Sequence, residues 1–324
     1  MSNRLESDAR SEFKEGQPLK GRRILVTGGA TGAGLATSIA LADAGADLII
    51  GTRHFSHFED AASKMDGVSP TPFVADLTDS DSTRKALSFL EDASKLPTDI
   101  VLSAAGGMED FSTKLALELG RAARAKTPED KKEMLGVLSG HVKEWVSGAQ
   151  DKAIAINFLA NVNLVQSAAV NVESRLRVVY YSSIPSTFFE SQDAPDFYRG
   201  VASSKNQFEQ WMHRSGMAYP NVDMTIVSGG LIEDSLVGKM VTRFLVPMLP
   251  VEQQEEIAKG YIHNSDMVEA TKQVLTSDTT DLGTSPKVVY VVGRGKIVDN
   301  VEPSDPVFAF NGLDFASLSA SVAA

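Results

Sequence analysis

Short apolar segments alternate along the chain with longer stretches in which apolar residues recur every three or four positions. The apolar segments are nearly continuous, which is typical of parallel strands covered on both faces. We assign strands at 23–27, 46–50, 71–75, 99–104, 177–183, 223–228 and 287–293, with intervening helices that include 33–44, 80–94, 153–173 and 202–216. Repeated strand–helix units predict an α/β fold with a doubly wound parallel sheet of about seven strands.

One segment departs from this alternation. Between Gly106 and Asp151, two helical stretches near 111–125 and 128–147 follow one another without a strand. A connection of this length inside a compact sheet usually has a structure or function of its own. We therefore predict a helical insertion at 106–151, either a surface hairpin or a wall or lid of a ligand pocket. It lies within a single domain at 21–300, between an N-terminal arm at 1–20 and a C-terminal tail at 301–324.

Composition narrows the function classes. The 31 basic and 42 acidic residues give a formal net charge of −11, which disfavours nucleic acid or an anionic membrane as the main partner. No apolar run reaches the length of about 18 residues that a transmembrane helix requires. The absence of cysteine excludes disulfides and thiolate metal sites and suits a cytoplasmic enzyme. His54 and His57 are three residues apart, as two metal ligands on a helix could be, but no carboxylate or third histidine converges on them, so no metal site is expected.

A glycine-rich turn, Thr-Gly-Gly-Ala-Thr-Gly-Ala-Gly, follows the first predicted strand at 27–34. Gly28 allows a tight turn, Gly32 lets the backbone approach a pyrophosphate, and Gly34 lets the next helix sit close to the strand. The start of that helix supplies free N–H groups and the positive end of the helix dipole. The strand–turn–helix context therefore predicts a dinucleotide site.

This turn has the form TGxxxGxG and resembles the cofactor motif of the short-chain dehydrogenase/reductase family. The resemblance extends from about Gly21 to Val298 and implies a Rossmann fold and a nicotinamide dinucleotide. Further matches to the family follow the third strand (Asp76), the fourth strand (Gly106) and the sixth strand (Gly230). Another match, Asn157, lies in the helix predicted at 153–173. The cofactor-binding residues indicated by the turn and by the resemblance are Gly28, Thr31, Gly32, Ala33, Gly34, Asp76, Leu77, Ala105, Gly106, Lys205, Gly230 and Ile232.

The chain also departs from the family pattern. The family's Asn-Asn-Ala-Gly is Ser103-Ala104-Ala105-Gly106 here, which keeps the small backbone of the last two positions. After the sixth strand, Gly229 replaces the usual Pro and Asp234 replaces the usual Thr. The polar contact that the Thr makes to the nicotinamide carboxamide therefore has no direct equivalent in this sequence.

The end of the second predicted strand indicates which dinucleotide fits. An NAD enzyme normally has Asp or Glu there, which accepts hydrogen bonds from the ribose 2′-hydroxyl and would repel a 2′-phosphate. This chain has Thr52-Arg53-His54 and no carboxylate. The guanidinium of Arg53 suits a phosphate, with Thr52 and His54 as neighbouring polar groups. We therefore expect NADP(H) as the cofactor, with Arg53 and His54 in its site.

The resemblance implies a catalytic Tyr-x-x-x-Lys pair, but this chain breaks the pattern. The residue four before Lys205 is Val201, which cannot donate a proton, and the nearest phenol is Tyr198. The resulting Tyr-x6-Lys spacing resembles the divergent, enoyl reductase-like branch of the family. Tyr198 is the candidate general acid if it lies just before the helix and leans back over the pocket. Tyr181 of the fifth strand is the alternative.

The remaining catalytic candidates complete the family's set. Ser183, with Ser182 as its neighbour, ends the fifth strand where the family Ser holds the substrate oxygen. Lys205 is implied to bind the ribose and to bring the phenol pKa toward neutrality. Asn157 in the preceding long helix is implied to complete the proton relay.

These features predict an NADP(H)-dependent oxidoreductase that reduces the carbonyl of a small, largely apolar molecule. Two alternatives stay open. The Tyr-x6-Lys spacing suggests an enoyl (C=C) reductase, and Val201 favours a non-catalytic NADP(H)-binding sensor or scaffold. The expected partner is a small-molecule carbonyl or enoyl substrate, and neither nucleic acid nor a membrane is expected. The resemblance further implies a homodimer or homotetramer formed through the helices at 153–173 and 202–216.

Overall fold

The computed structural model describes residues 17–107, 109–172, 175–192, 194–215, 218–277, 286–302 and 304–309. Most of the arm predicted at 1–20 and most of the tail predicted at 301–324 lie outside the described residues.

Strands and helices alternate as the apolar pattern predicts. The strands are β1 (Arg23–Thr27), β2 (Asp47–Thr52), β3 (Thr71–Val74), β4 (Asp99–Leu102), β5 (Leu176–Ser183), β6 (Val222–Gly229), β7 (Lys287–Val292) and β8 (Lys296–Val298). The first helices are α1 (Gly32–Asp43), α2 (Phe55–Ala62), α3 (Ser80–Asp92), α4 (Glu109–Ala122), α5 (Pro128–Ile154) and α6 (Ala160–Asn171). They are followed by α7 (Ile184–Thr187), α8 (Arg199–Ser215), α9 (Leu236–Met240), α10 (Val251–Lys259) and α11 (Asn264–Thr276).

The strands of the described residues form one sheet in the order β3-β2-β1-β4-β5-β6-β7-β8. Every neighbouring pair is parallel except β7 and β8, which are antiparallel. The prediction of a doubly wound α/β sheet is confirmed, with eight strands rather than about seven. The extra strand is only three residues long, too short to give a recognisable apolar pattern.

The direction in which the chain adds strands to the sheet reverses between β1 and β4. From β1 the chain adds β2 and β3 on one side, and it then returns to add β4 and β5 on the other side. In doubly wound sheets, this reversal opens a crevice at the carboxyl ends of the strands, and ligands bind there. The residues that follow β1, β4, β5 and β6 therefore converge on one edge of the sheet.

The insertion and the helix that follows it form one continuous helix. We predicted a break between 147 and 153, but α5 continues through a π-helical turn at Ala155–Leu159 into α6. The prediction was wrong because Gly148 and the polar residues after it suggested a boundary, whereas the helix tolerates them. Pro128–Asn171 is long and apolar enough to cross a membrane by length and composition alone. Its second half is nevertheless a core helix, with Leu164, Val165 and Ala168 buried against the sheet.

Four apolar clusters lie among the described residues. One lies on each face of the sheet, and the third joins α4 and α5 to the segment 240–249. The fourth is small and contains Ile184, Val301, Val307 and Phe308. In the third core, Leu115 and Leu119 of α4 pack with Leu138 of α5 and Leu245. The insertion is therefore built onto the sheet domain by burial of apolar surface and is not an isolated surface hairpin.

Gly107 marks the place where the loop after β4 meets the long helix. Its φ of +92° is in the left-handed region, and a Cβ there would lie 2.5 Å from the Cα of Ala153. Both the backbone conformation and the close helix contact thus require glycine.

We expect Gly107→Ala to lower the free energy of unfolding by about 2–4 kcal/mol, because it combines left-handed backbone strain with overpacking. Gly148→Ala in α5 is the matched control. A Cβ at Gly148 meets no atom within 4 Å, so that variant should be stabilised by roughly 0.5–1 kcal/mol. Urea unfolding monitored by circular dichroism measures both, and equal stability of the two variants would contradict the contact.

Candidate active site

The glycine-rich turn between β1 and α1 has the conformation that its sequence suggests. Gly28 and Gly32 have φ values of +63° and +53°. A Cβ on Gly34 would lie 2.2 Å from the carbonyl oxygen of Gly28, so only glycine lets α1 start this close to the turn. A Cβ on Gly32 would meet nothing within 4 Å, which leaves open space beside the first N–H groups of α1. That space and those donors fit a pyrophosphate.

A cleft of about 630 Å³ extends from this turn across the ends of β2, β3 and β4. The side chains of Arg53 and Asp76 line its far end, and Thr78 holds the Asp76 carboxylate through its N–H and its hydroxyl. These two hydrogen bonds lower the pKa of Asp76, and Arg53 adds a smaller electrostatic effect in the same direction. The sequence-predicted residues that line this cleft are Gly28, Thr31, Gly32, Ala33, Gly34, Arg53, His54, Asp76, Leu77, Ala105 and Gly106.

A second pocket of about 560 Å³ continues the cleft towards β5 and β6. The two share Gly32, Ala33, Ser103, Ala105 and Gly106 as lining residues, so they form one groove. The remaining predicted residues that line the second pocket are Ser183, Tyr198, Lys205, Gly230 and Ile232. Most of its other walls are apolar, and Ser112 of the insertion also lines it.

Tyr198 and Ser183 meet inside this second pocket. Tyr198 lies immediately before α8, and its hydroxyl donates to Ser183 Oγ at 3.2 Å. Ser183 is the last residue of β5 and shares a second hydrogen bond, of 2.6 Å, with Ser186. Burial raises the pKa of Tyr198, and the Ser183 hydrogen bond only partly opposes that rise. The phenol is therefore protonated at neutral pH and can act as a proton donor.

The two tyrosines of β5 have hydrogen-bond or ring partners on other elements, although Tyr181 also lines the second pocket. The Tyr181 hydroxyl hydrogen-bonds to Thr37 Oγ1 at 2.9 Å and to Thr271 Oγ1 at 2.7 Å, between α1 and α11. Burial raises its pKa to about 12. Tyr180 packs edge to face on Phe208 in the opposite core, with ring centroids 4.7 Å apart. Among these three phenols, Tyr198 is the one that contacts Ser183.

Lys205 lies nearly two helical turns inside α8 and is 7% exposed. Its ammonium donates to the Tyr181 carbonyl oxygen at 3.1 Å. Burial lowers the pKa of Lys205 to about 8, an effect that the negative charge of Glu209 opposes. Lys205 lines the same pocket as Tyr198.

Asn157 occupies the π-helical turn and is 1% exposed. Its amide both donates to the Gly106 carbonyl and accepts from the Gly106 N–H, each at 3.1 Å, and also donates to Ser204 Oγ at 3.0 Å. Within the part of the chain that the structure describes, no hydrogen bond joins it to Lys205. Asn157 therefore fixes the loop after β4 against α8, and π-helical turns often occur at such functional positions.

The segment after β6 explains two departures from the family pattern. A Cβ on Gly229 would lie 2.6 Å from Met267 Sδ, which leaves no room for the Pro that the family has there. The Asp234 carboxylate accepts from the backbone N–H and the side-chain amide of Asn264, both at 2.9 Å. Asp234 therefore holds the first turn of α11, although it also lines the pocket.

Two further residues were missed by the sequence reasoning. Lys152 of α5 lines the cleft beside the glycine-rich turn, and no pattern in the sequence singles it out. Glu209 is buried beside the second pocket, where its carboxylate accepts from Ser182 and Thr187. It lies four residues after Lys205, and this spacing on one helix face was the available signal.

Residues 22–122 match the family model for short chain dehydrogenases. A comparison with curated proteins finds no significant match. Among solved structures, the chain is similar to a gluconate 5-dehydrogenase from Burkholderia cenocepacia in complex with NADP and tartrate, with 17% identity and a TM-score of 0.61 over 85% of this chain and 95% of that one. It is also similar to an NAD+-bound xylitol dehydrogenase, with 15% identity and a TM-score of 0.63 over 86% of this chain and 100% of that one.

A third similar structure is a short chain dehydrogenase from Shigella flexneri complexed with NADP, with 16% identity and a TM-score of 0.58 over 85% of this chain and 98% of that one. At these identities the structures establish the fold. The family model confirms the resemblance to the short-chain dehydrogenase/reductase family over residues 22–122, and the solved structures show the same fold over 85–86% of the chain.

We expect Asn157→Ala to lower the free energy of unfolding by about 2–3 kcal/mol, because it leaves the backbone groups of Gly106 without their partners. Asn163→Ala is the control, since Asn163 donates only to partly buried carbonyls at the Leu77–Thr78 turn and should cost less than about 1 kcal/mol. Chemical denaturation measures both values. An Asn157→Ala variant as stable as the control would show that the amide does not hold the loop.

Proposed function

We propose that this protein is an NADP(H)-dependent oxidoreductase that reduces the carbonyl of a small, largely apolar molecule. The observation that carries the proposal is the Tyr198–Ser183 hydrogen bond in the pocket that continues the dinucleotide cleft. It brings a proton donor and a second hydroxyl together on one side of the groove, with Lys205 lining the same pocket.

In this proposal the dinucleotide is held along the strand ends. The pyrophosphate occupies the open space at Gly32, where the first N–H groups of α1 donate hydrogen bonds to it. Asp76 and Leu77 lie at the adenine end. The guanidinium of Arg53 donates hydrogen bonds to the 2′-phosphate. Lys205 binds the ribose hydroxyls next to the nicotinamide. When bound, the cofactor supplies the hydride that the substrate carbon receives.

The residues of the second pocket handle the substrate oxygen. Ser183 donates a hydrogen bond to the carbonyl oxygen, which is polarised before reduction. As negative charge develops on that oxygen, Tyr198 donates its proton to it. The structure does not bear out the expected lowering of the Tyr198 pKa by Lys205, because burial, the Ser183 hydrogen bond and Glu209 determine that pKa. The apolar side chains of Val201, Leu231 and Val237 suit an apolar substrate body.

The insertion is proposed to form one wall of the substrate site. Ser112 of α4 lines the pocket, and Val201 and Val237 pack against the apolar core that the insertion helps to build. Loops at this edge of a doubly wound sheet commonly surround the ligand.

We expect Arg53→Asp to weaken NADPH binding by about 2–4 kcal/mol, because it removes a charge-assisted pair and adds a repelling carboxylate next to the 2′-phosphate. NADH lacks that phosphate and should bind with nearly unchanged affinity. Titration of both nucleotides by cofactor fluorescence tests this selectivity. Equal losses for the two nucleotides would remove Arg53 from the 2′-phosphate site.

We expect Tyr198→Phe to lower kcat by roughly 10²–10⁴-fold with NADPH affinity unchanged, since general acid catalysis typically contributes that factor. Tyr181→Phe is the matched control, because its hydroxyl bonds Thr37 and Thr271 and should affect stability more than the rate. NADPH consumption against a panel of ketones and conjugated enones, with product identification, provides the assay.

Three outcomes separate the candidate functions. Reduction of the enones alone would favour the C=C reductase that the Tyr-x6-Lys spacing suggests. Tight NADPH binding without turnover on any compound would favour a sensor or scaffold. Full activity of Tyr198→Phe on a confirmed ketone would exclude Tyr198 as the general acid.

A further inference from the structure

Glu209 is a buried carboxylate whose role the proposed reaction does not yet explain. It is 2% exposed and lies on α8, one turn after Lys205. One oxygen, Oε1, accepts from Ser182 Oγ and from Thr187 Oγ1, the latter at 3.3 Å. An ionisable group buried beside a cleft is costly for the fold, and its presence there indicates a functional role.

The partners of Glu209 lie directly behind the substrate-facing hydroxyls. Ser182 precedes Ser183 on β5, and Thr187 ends the short helix α7. Ser186, the residue before Thr187, shares the 2.6 Å hydrogen bond with Ser183. Thr187 also hydrogen-bonds to Ser228 of β6 at 2.8 Å. One carboxylate thus ties α8 to β5 and, through Thr187, to β6, where these elements present Ser183 to Tyr198.

The charge of Glu209 also acts on Lys205. Residues four apart on a helix share a face, and Lys205 is the cation that interacts with Glu209 among the described residues. The other titratable groups near Glu209 are three phenols: Tyr180 of β5, Tyr198 and Tyr290 of β7. Burial is the largest cause of the raised pKa of each phenol, so all three are neutral near pH 7. No direct ion pair joins Lys205 and Glu209 among the described residues, so their charges interact at longer range, each shifting the pKa of the other.

We propose that Glu209 is a positioning residue that anchors Ser182 and Thr187 behind Ser183 and keeps the ammonium of Lys205 charged. This inference rests on the proposed function, in which Ser183, Tyr198 and Lys205 act on the substrate and cofactor. Burial raises the pKa of Glu209 to about 7, and Lys205, with a pKa of about 8, opposes that rise. Between these two pKa values each group is more than half in its charged form, and the pair loses charge on either side of this range.

Glu209→Gln tests the charge while it preserves the shape and an acceptor oxygen for Ser182. Without the carboxylate, the Lys205 ammonium loses its neighbouring anion and should deprotonate at lower pH. We expect the basic limb of the pH profile of kcat/KM to move down by about half to one pH unit. The pH dependence of the NADPH dissociation constant should shift in the same direction. Glu144→Gln, at an exposed position of α5, is the control and should leave both profiles unchanged.

Ser182→Ala tests the anchoring. It removes a hydrogen bond to Glu209, so we expect kcat to fall by about tenfold. A Glu209→Gln variant that is folded and keeps both wild-type pH profiles would overturn the inference. If Tyr198→Phe loses activity in the same assays, the proposed function survives that failure. If the wild type shows no turnover, the NADPH titration still decides the role of Glu209.

Discussion

The reversal of strand order between β1 and β4 is the constraint on which the site depends. Because every strand from β3 to β7 runs in the same direction, the carboxyl ends of β1, β4, β5 and β6 open onto one edge. The glycine turn after β1 provides helix N–H groups there, and β5 provides Ser183. The site is therefore a set of short strand-end segments that the sheet holds in register, as is usual for ligand sites of this fold.

The long helix from α5 to α6 couples the insertion to this edge. Its π-helical turn places Asn157 against both backbone groups of Gly106, and the preceding turn contacts Gly107 closely. The loop after β4 consequently cannot move independently of α5. Since the insertion also shares an apolar core with the segment after β6, a single packed body supports both halves of the groove.

The sequence allowed most of the fold to be predicted, and also the residues that line the cleft after β1, because both depend on local patterns. Buried parallel strands appear as continuous apolar runs, and glycines with positive φ recur at fixed positions in the turn. The helix boundary near Gly148 could not be predicted, since a glycine inside a helix resembles a glycine at its end. The Tyr198–Ser183 contact depends on how the chain between α7 and α8 returns to the pocket, which no periodic pattern describes. Glu209 was missed because its importance arises from burial and from partners on other elements.

The central claim is that Tyr198 and Ser183 face the reacting end of a bound nicotinamide dinucleotide. A crystal structure of the protein with NADPH and a slow substrate or inhibitor measures this most directly. We expect the Tyr198 hydroxyl and Ser183 Oγ to lie about 3 Å from the same ligand oxygen, next to nicotinamide C4. We also expect the 2′-phosphate to lie beside Arg53. A complex in which the nicotinamide lies away from Tyr198, with another hydroxyl or only solvent next to C4, would contradict it.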